Sequence, residues 1–146
     1  MKPNVKFALA ALLILMAIAI FAVSSQPDCI LSNLSKKKSE KISLEIADND
    51  FSRMRGLMFR EKIIPILFIF GYEGKFPIHS HFVKAEFDAI YVSQDGTVVE
   101  VFRRIPPEQD RISPQKDASF LLELPPELTD RLKIGVGDKV EWKKLG

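Results

Sequence analysis

The chain has 146 residues, with 21 Lys+Arg against 19 Asp+Glu, a formal net charge of +2, 47% hydrophobic and 27% charged residues. One domain's worth of near-neutral sequence with one cysteine excludes a disordered charged tail, a collagen-like repeat and a disulfide scaffold. Nothing is basic enough to leave an electrostatic footprint on nucleic acid. Two histidines and one cysteine fall short of a four-ligand structural zinc site without help from Asp or Glu.

The chain opens with Lys2 and Lys6, then an uncharged apolar run from Phe7 to Val23, then Ser24-Ser25-Gln26-Pro27. This is the layout of an export signal. A cleaved signal has about 7–15 apolar residues and a spanning helix about 17–25, so the run sits on the boundary. Ala22-Val23-Ser24 offers small residues for cleavage, and Asp28 directly before Cys29 argues against a lipoprotein signal. The two early lysines put the N-terminal end in the cytoplasm, although Lys36-Lys37-Lys38 pulls the other way. The expectation is that residues 1–25 are a signal peptide or membrane anchor. The remainder then lies outside the cytoplasm, tethered through residues 7–23 or secreted. Residues 26–40 read as a linker, and 41–146 as one compact β domain.

In that domain Ile42, Leu44 and Ile46 alternate with Ser43 and Glu45, a half-buried strand. Asp48-Asn49-Asp50 offers caps for a short helix over Phe51 to Arg60. Pro65 stops it, and Ile66 to Phe70 is an apolar run suited to a buried strand. Ile78 to Val83 and Phe87 to Ser93 read as further strands. Asp95-Gly96 marks a hairpin into Thr97 to Phe102. A proline-containing loop follows, then strands Ser119 to Leu124 and Lys139 to Trp142, with a helical turn from Glu127 to Leu132 between them. The whole predicts a mainly β fold: a small antiparallel sandwich or barrel of about six to seven strands with one or two short helices, preceded by the N-terminal apolar helix.

Arg53-Met54-Arg55-Gly56-Leu57-Met58-Phe59-Arg60 resembles the R-x-x-G-L-M-x-R signature of the domain-of-unknown-function 192 family. The likeness continues in order through Phe68-Ile69-Phe70, Asp88 to Val92, Asp95 to Val99, Leu122 to Pro125 and Ile134 to Val140. The chain departs from the family pattern at Pro65-Ile66 and over Ile78 to Asp88. The resemblance implies a compact, mainly β domain, often exported or membrane-anchored, with no assigned reaction.

Two side-chain groupings carry chemistry. Arg53, Arg55 and Arg60 surround the helix while Asp88 and Glu123 sit in strands. Arg55 paired to Asp88 or Glu123 would tie helix to sheet. Alternatively, an arginine in a cleft lined by Phe76, Phe82, Phe87 and Tyr91 would capture a small anionic ligand. The second grouping is His79 and His81, two apart on an expected strand and so on one face. With Asp88 or Glu86 they offer a zinc or copper site, the weaker alternative. Cys29 lies in the expected linker without a base, and Ser80 points away from both histidines, so nucleophilic catalysis is disfavoured. The leading expectation is a non-catalytic extracytoplasmic module that binds a ligand or protein partner, needs no cofactor and binds no nucleic acid. The alternative is a metal-binding protein or metal-dependent enzyme.

Overall fold

The computed structural model describes residues 5–22 and 26–146, with the backbone alone for 17–22. Lys2 and the last residues of the expected cleavage site, Val23 and Ser24, lie outside the described residues. The first element, α1 (Val5–Ala22), is an 18-residue apolar helix. At 1.5 Å per residue it is about 27 Å long, just under a hydrocarbon core of about 30 Å. Among the described residues no helix is long and apolar enough to cross a membrane.

Among the described residues eight strands form two sheets, and neither closes into a barrel. The smaller sheet has the order β2-β1-β8, with β1 (Asp28–Asn33) central between β2 (Lys38–Ser43) and β8 (Val140–Lys144), all antiparallel. The stretch read as a linker over 26–40 is therefore folded. Cys29 and Leu31 turn inward, and Asn33 is held by long-range hydrogen bonds that no local pattern announces. Its Nδ2 donates to Leu132 O at 3.1 Å, Lys133 O at 3.2 Å and Asp138 Oδ2 at 2.9 Å.

The larger sheet runs β3-β4-β7-β5-β6: β3 (Glu45–Ala47), β4 (Ile66–Gly74), β7 (Ala118–Leu124), β5 (Phe87–Val92) and β6 (Val98–Ile105). Among the described residues only β3 and β4 pair in parallel. The strand expected across Ile42 to Ile46 is two, β2 and β3, which join different sheets on either side of the buried Leu44. The turn at Asp95-Gly96 needs its glycine: φ is +87°, and a Cβ there would meet Val140 O at 2.8 Å.

Every residue of β5 is buried, because the larger sheet is covered on both faces. One face carries Leu67, Ile90, Val92, Leu122 and Leu124 against the smaller sheet and α3 (Pro126–Leu132). The other carries Ile66, Phe68, Ala89, Tyr91 and Leu121 against Leu57, Val83 and the surrounding loops. The side-chain period of two assigns neighbours to opposite cores, and this parity decides which acid enters which environment.

The helix over the second face, α2 (Asp50–Arg55), is shorter than expected. Asn49 and Ser52 close a reciprocal capping box at its start, and Gly56 ends it at φ +43°. Ile78 to Val83 is not a strand. Ile78 makes a single bridge to Ile112, and the chain then turns, anchored by the buried Ser80, whose Oγ donates to Pro106 O at 2.6 Å and accepts from Gln109 N at 2.8 Å.

Candidate functional site

A pocket of about 530 Å³ opens between α2, β4 and the segment from Phe76 to His79. That volume falls within the range of small-molecule sites, about 300–1,000 Å³. One wall is the stretch Arg53 to Met58, the segment that carries the family resemblance. The facing wall is aromatic. Phe70 and Phe76 stack with centroids 3.7 Å apart, and Tyr72 meets Phe76 edge-on at 5.2 Å. The Tyr91 hydroxyl, beneath the pocket on β5, donates to Phe76 O at 2.7 Å and holds that wall to the sheet.

Glu123 lines the pocket from the sheet. Its β7 position pairs with Ile66 of β4 and Ala89 of β5, so both lateral neighbours are apolar. The residue is 4% exposed, and its Oε2 is buried without a hydrogen-bond partner. Burial pushes the carboxyl up to about 8, against a smaller downward pull from Arg60. At neutral pH the group is therefore mostly protonated and uncharged. Gly56 packs beside it: a Cβ there would stand 3.6 Å from Oε2 and 3.3 Å from the Phe68 ring. The missing side chain leaves room directly against the acid.

The arginines divide. Arg53 donates to Ile69 O at 2.7 Å and to Asp50 Oδ1 at 2.8 Å, tying α2 to β4 at the pocket rim. Arg60 is outside the pocket lining: it pairs with the buried Glu45 at 2.6 Å and donates from Nε to Gly56 O at 2.8 Å. Arg55 is buried and lines the pocket. Desolvation first, and then the neighbouring Arg60, lower its pKa, while Glu45 opposes them.

Asp88 belongs to neither expected grouping. Its Oδ1 accepts from Arg104 N at 2.7 Å and its Oδ2 from Arg103 Nη1 at 3.2 Å, and Arg103 also reaches Asp130 and the Ile134 carbonyl. A β5 residue one position away from Ala89 faces the α3 side, so the Arg55–Asp88 tie does not form. Nor does Asp88 complete a metal set. His79 lines the pocket and His81 does not, although their rings lie 5.3 Å apart. His81 is flanked by Glu108 at 3.2 Å and Asp110 at 3.1 Å. Among the described residues, no group of three or more His, Cys, Asp or Glu is arranged to hold a metal ion. Of the aromatics expected in a cleft, Phe76 and Phe87 line it. Phe82 stacks outside on Phe59 at 4.8 Å, and Tyr91 is buried below. The sequence reading missed Phe68, Phe70 and Tyr72. Their signal was the alternation within β4, where even-numbered residues share one face.

The chain is similar to several known proteins. The family DUF192, described as "Uncharacterized ACR", matches residues 32–142. A UPF0127 protein of Pyrococcus abyssi is 36% identical over 115 residues, covering 77% of this chain and 97% of the relative. A UPF0127 protein of Pyrococcus horikoshii is 30% identical over 115 residues, covering 77% and 98%. Two crystal structures share the fold. A putative transcription regulator of Sinorhizobium meliloti 1021 has a TM-score of 0.72 at 22% identity, covering 83% of this chain and 96% of that one. A protein of unknown function from Novosphingobium aromaticivorans has a TM-score of 0.67 at 23% identity, covering 79% and 84%. With the family matched from the first sheet to the last strand, the chain belongs to DUF192, the family whose curated relatives carry the name UPF0127.

Proposed function

We propose that this protein is a small-ligand-binding module that acts by binding rather than by catalysis, and that the pocket under α2 is its binding site. The observation that carries this reading is Glu123, an acid placed in an apolar sheet face with an unsatisfied oxygen beside an open pocket. An unpartnered buried acceptor costs stability, about 1–3 kcal/mol, and a ligand that satisfies it gives that cost a purpose. The aromatic wall supplies the apolar contact area typical of such sites. Export, with the domain tethered through residues 7–23 or released outside the cytoplasm, is supported by the apolar run and its flanking lysines.

The test is a fragment screen on the isotope-labelled full chain read by NMR. Hits should shift the signals of Gly56, Phe70, Phe76, His79 and Glu123. Met54→Trp, a change at an exposed residue of the pocket wall, should abolish them. Hits confined to other surfaces, or unaffected by Met54→Trp, would contradict the assignment.

A further inference from the structure

The identity of the ligand's head group follows from the same site, and the inference rests on the pocket reading above. We propose that the pocket selects a ring-bearing carboxylate, with the Glu123 carboxyl acting as a hydrogen-bond donor to the ligand's ionised carboxyl while the aromatic wall takes its ring.

A protonated carboxyl has one O–H to donate. Its best partner is an anionic oxygen, since an O–H···O⁻ bond is shorter and roughly twice as strong as a neutral one. The terminal torsion of glutamate is broad, so the unpartnered oxygen can turn to the pocket without leaving a rotamer well. The surrounding charge agrees. Besides Glu123, the charged side chains lining the pocket are Arg53, Arg55 and Asp50. Asp50 pairs with Arg53 at 2.8 Å. Arginines outnumber ionised acids in the lining, which favours an anion over a cation. The stacked Phe70 and Phe76 present a flat face suited to a ring.

The other titratable groups facing Glu123 are few. Arg60, paired with Glu45, acts on Glu123 from outside the pocket lining, His79 and Tyr72 line the pocket, and Tyr91 lies on the adjacent strand. Burial, and then Glu123 itself, hold the Tyr91 phenol above its usual range. With the Glu123 carboxyl pushed up to about 8, a window between about pH 7 and about pH 9.5 spans its ionisation.

The experiment is calorimetry on the full chain at those two pH values with matched naphthalene probes: 2-naphthoate, naphthalene-2-carboxamide and (2-naphthylmethyl)trimethylammonium. Naphthoate should bind tightest near pH 7 and weaken on the order of tenfold or more by about pH 9.5, as Glu123 ionises. Glu123→Gln, whose amide still donates, should lose that pH dependence, and Glu123→Leu should lose the preference for naphthoate over the carboxamide. Binding led by the carboxamide or the ammonium probe would overturn the carboxylate assignment and leave the pocket reading standing. A pH dependence that survives Glu123→Gln would overturn the role given to Glu123. No binding by any probe, together with a fragment screen silent at the pocket, would overturn both.

Discussion

Asp88 and Glu123 are both buried acids in the interior strands of one sheet, side by side in register, since Asp88 pairs with Leu124 and Ala89 with Glu123. Their parity differs by one, and so does everything about them. Asp88 faces α3, where a backbone amide and an arginine hydrogen-bond both its oxygens. Glu123 faces the pocket, between Ile66 and Ala89, with one oxygen unpaired. The first acid stabilises the fold by stitching β5 to β6 and, through Arg103, to the chain after α3. The second destabilises it. A buried polar group that costs stability at a pocket marks a binding site more reliably than a satisfied one does.

The contrast is open to breakage by mutation. Asp88→Ala should lower stability by about 2–4 kcal/mol in urea unfolding, chiefly because the Arg104 amide loses its acceptor. The Arg103 pair adds less, since that side chain is 42% exposed. A loss within measurement error would place Asp88 outside the structural role. Glu123→Gln should move stability the other way. The folded-state pKa near 8 lies above the ordinary value of 4.5, so the folded chain holds a proton that the unfolded chain has released. Glu123's contribution is complete below about pH 4.5 and falls by about 1.4 kcal/mol per pH unit between roughly pH 5 and pH 8. The variant removes that slope and should gain about 1–3 kcal/mol near pH 7, the extra amide donor offsetting part of the gain. Near pH 4 the two proteins should differ little. A variant less stable at pH 7, with the slope retained, would mean that Glu123 is satisfied after all.

Much of this was legible in the sequence. The apolar run Ile66 to Phe70 and the Asp95-Gly96 turn announced strands with local chemistry. Asp48-Asn49-Asp50 announced the start of the helix that walls the pocket, and Glu123 was named with Asp88 as a strand acid within reach of its arginines. The failures were non-local. β1 holds only Cys29, Ile30 and Leu31 as apolar residues, and its inward Asn33 is satisfied by groups about a hundred residues away. Ile78 to Val83 has strand-like composition, yet its partner is a loop around Ile112, and the buried Ser80 bends the chain into a turn. The expected helix over 51–60 stops at Arg55 because Gly56 takes a left-handed φ, and Arg60 folds back onto the Gly56 carbonyl. Asp88 and Glu123 looked alike as strand acids. Only strand register separates them, and register is set by partners that no local pattern names.

The most direct test is the ionisation of Glu123 itself, followed by NMR of its side-chain carboxyl carbon across a pH titration of the unliganded full chain. A midpoint near 8 is expected, several units above an ordinary glutamate. A midpoint between about 4 and 5 would mean an ionised, well-solvated or well-paired carboxylate. The neutral donor in the pocket, and the carboxylate ligand proposed for it, would then fall together.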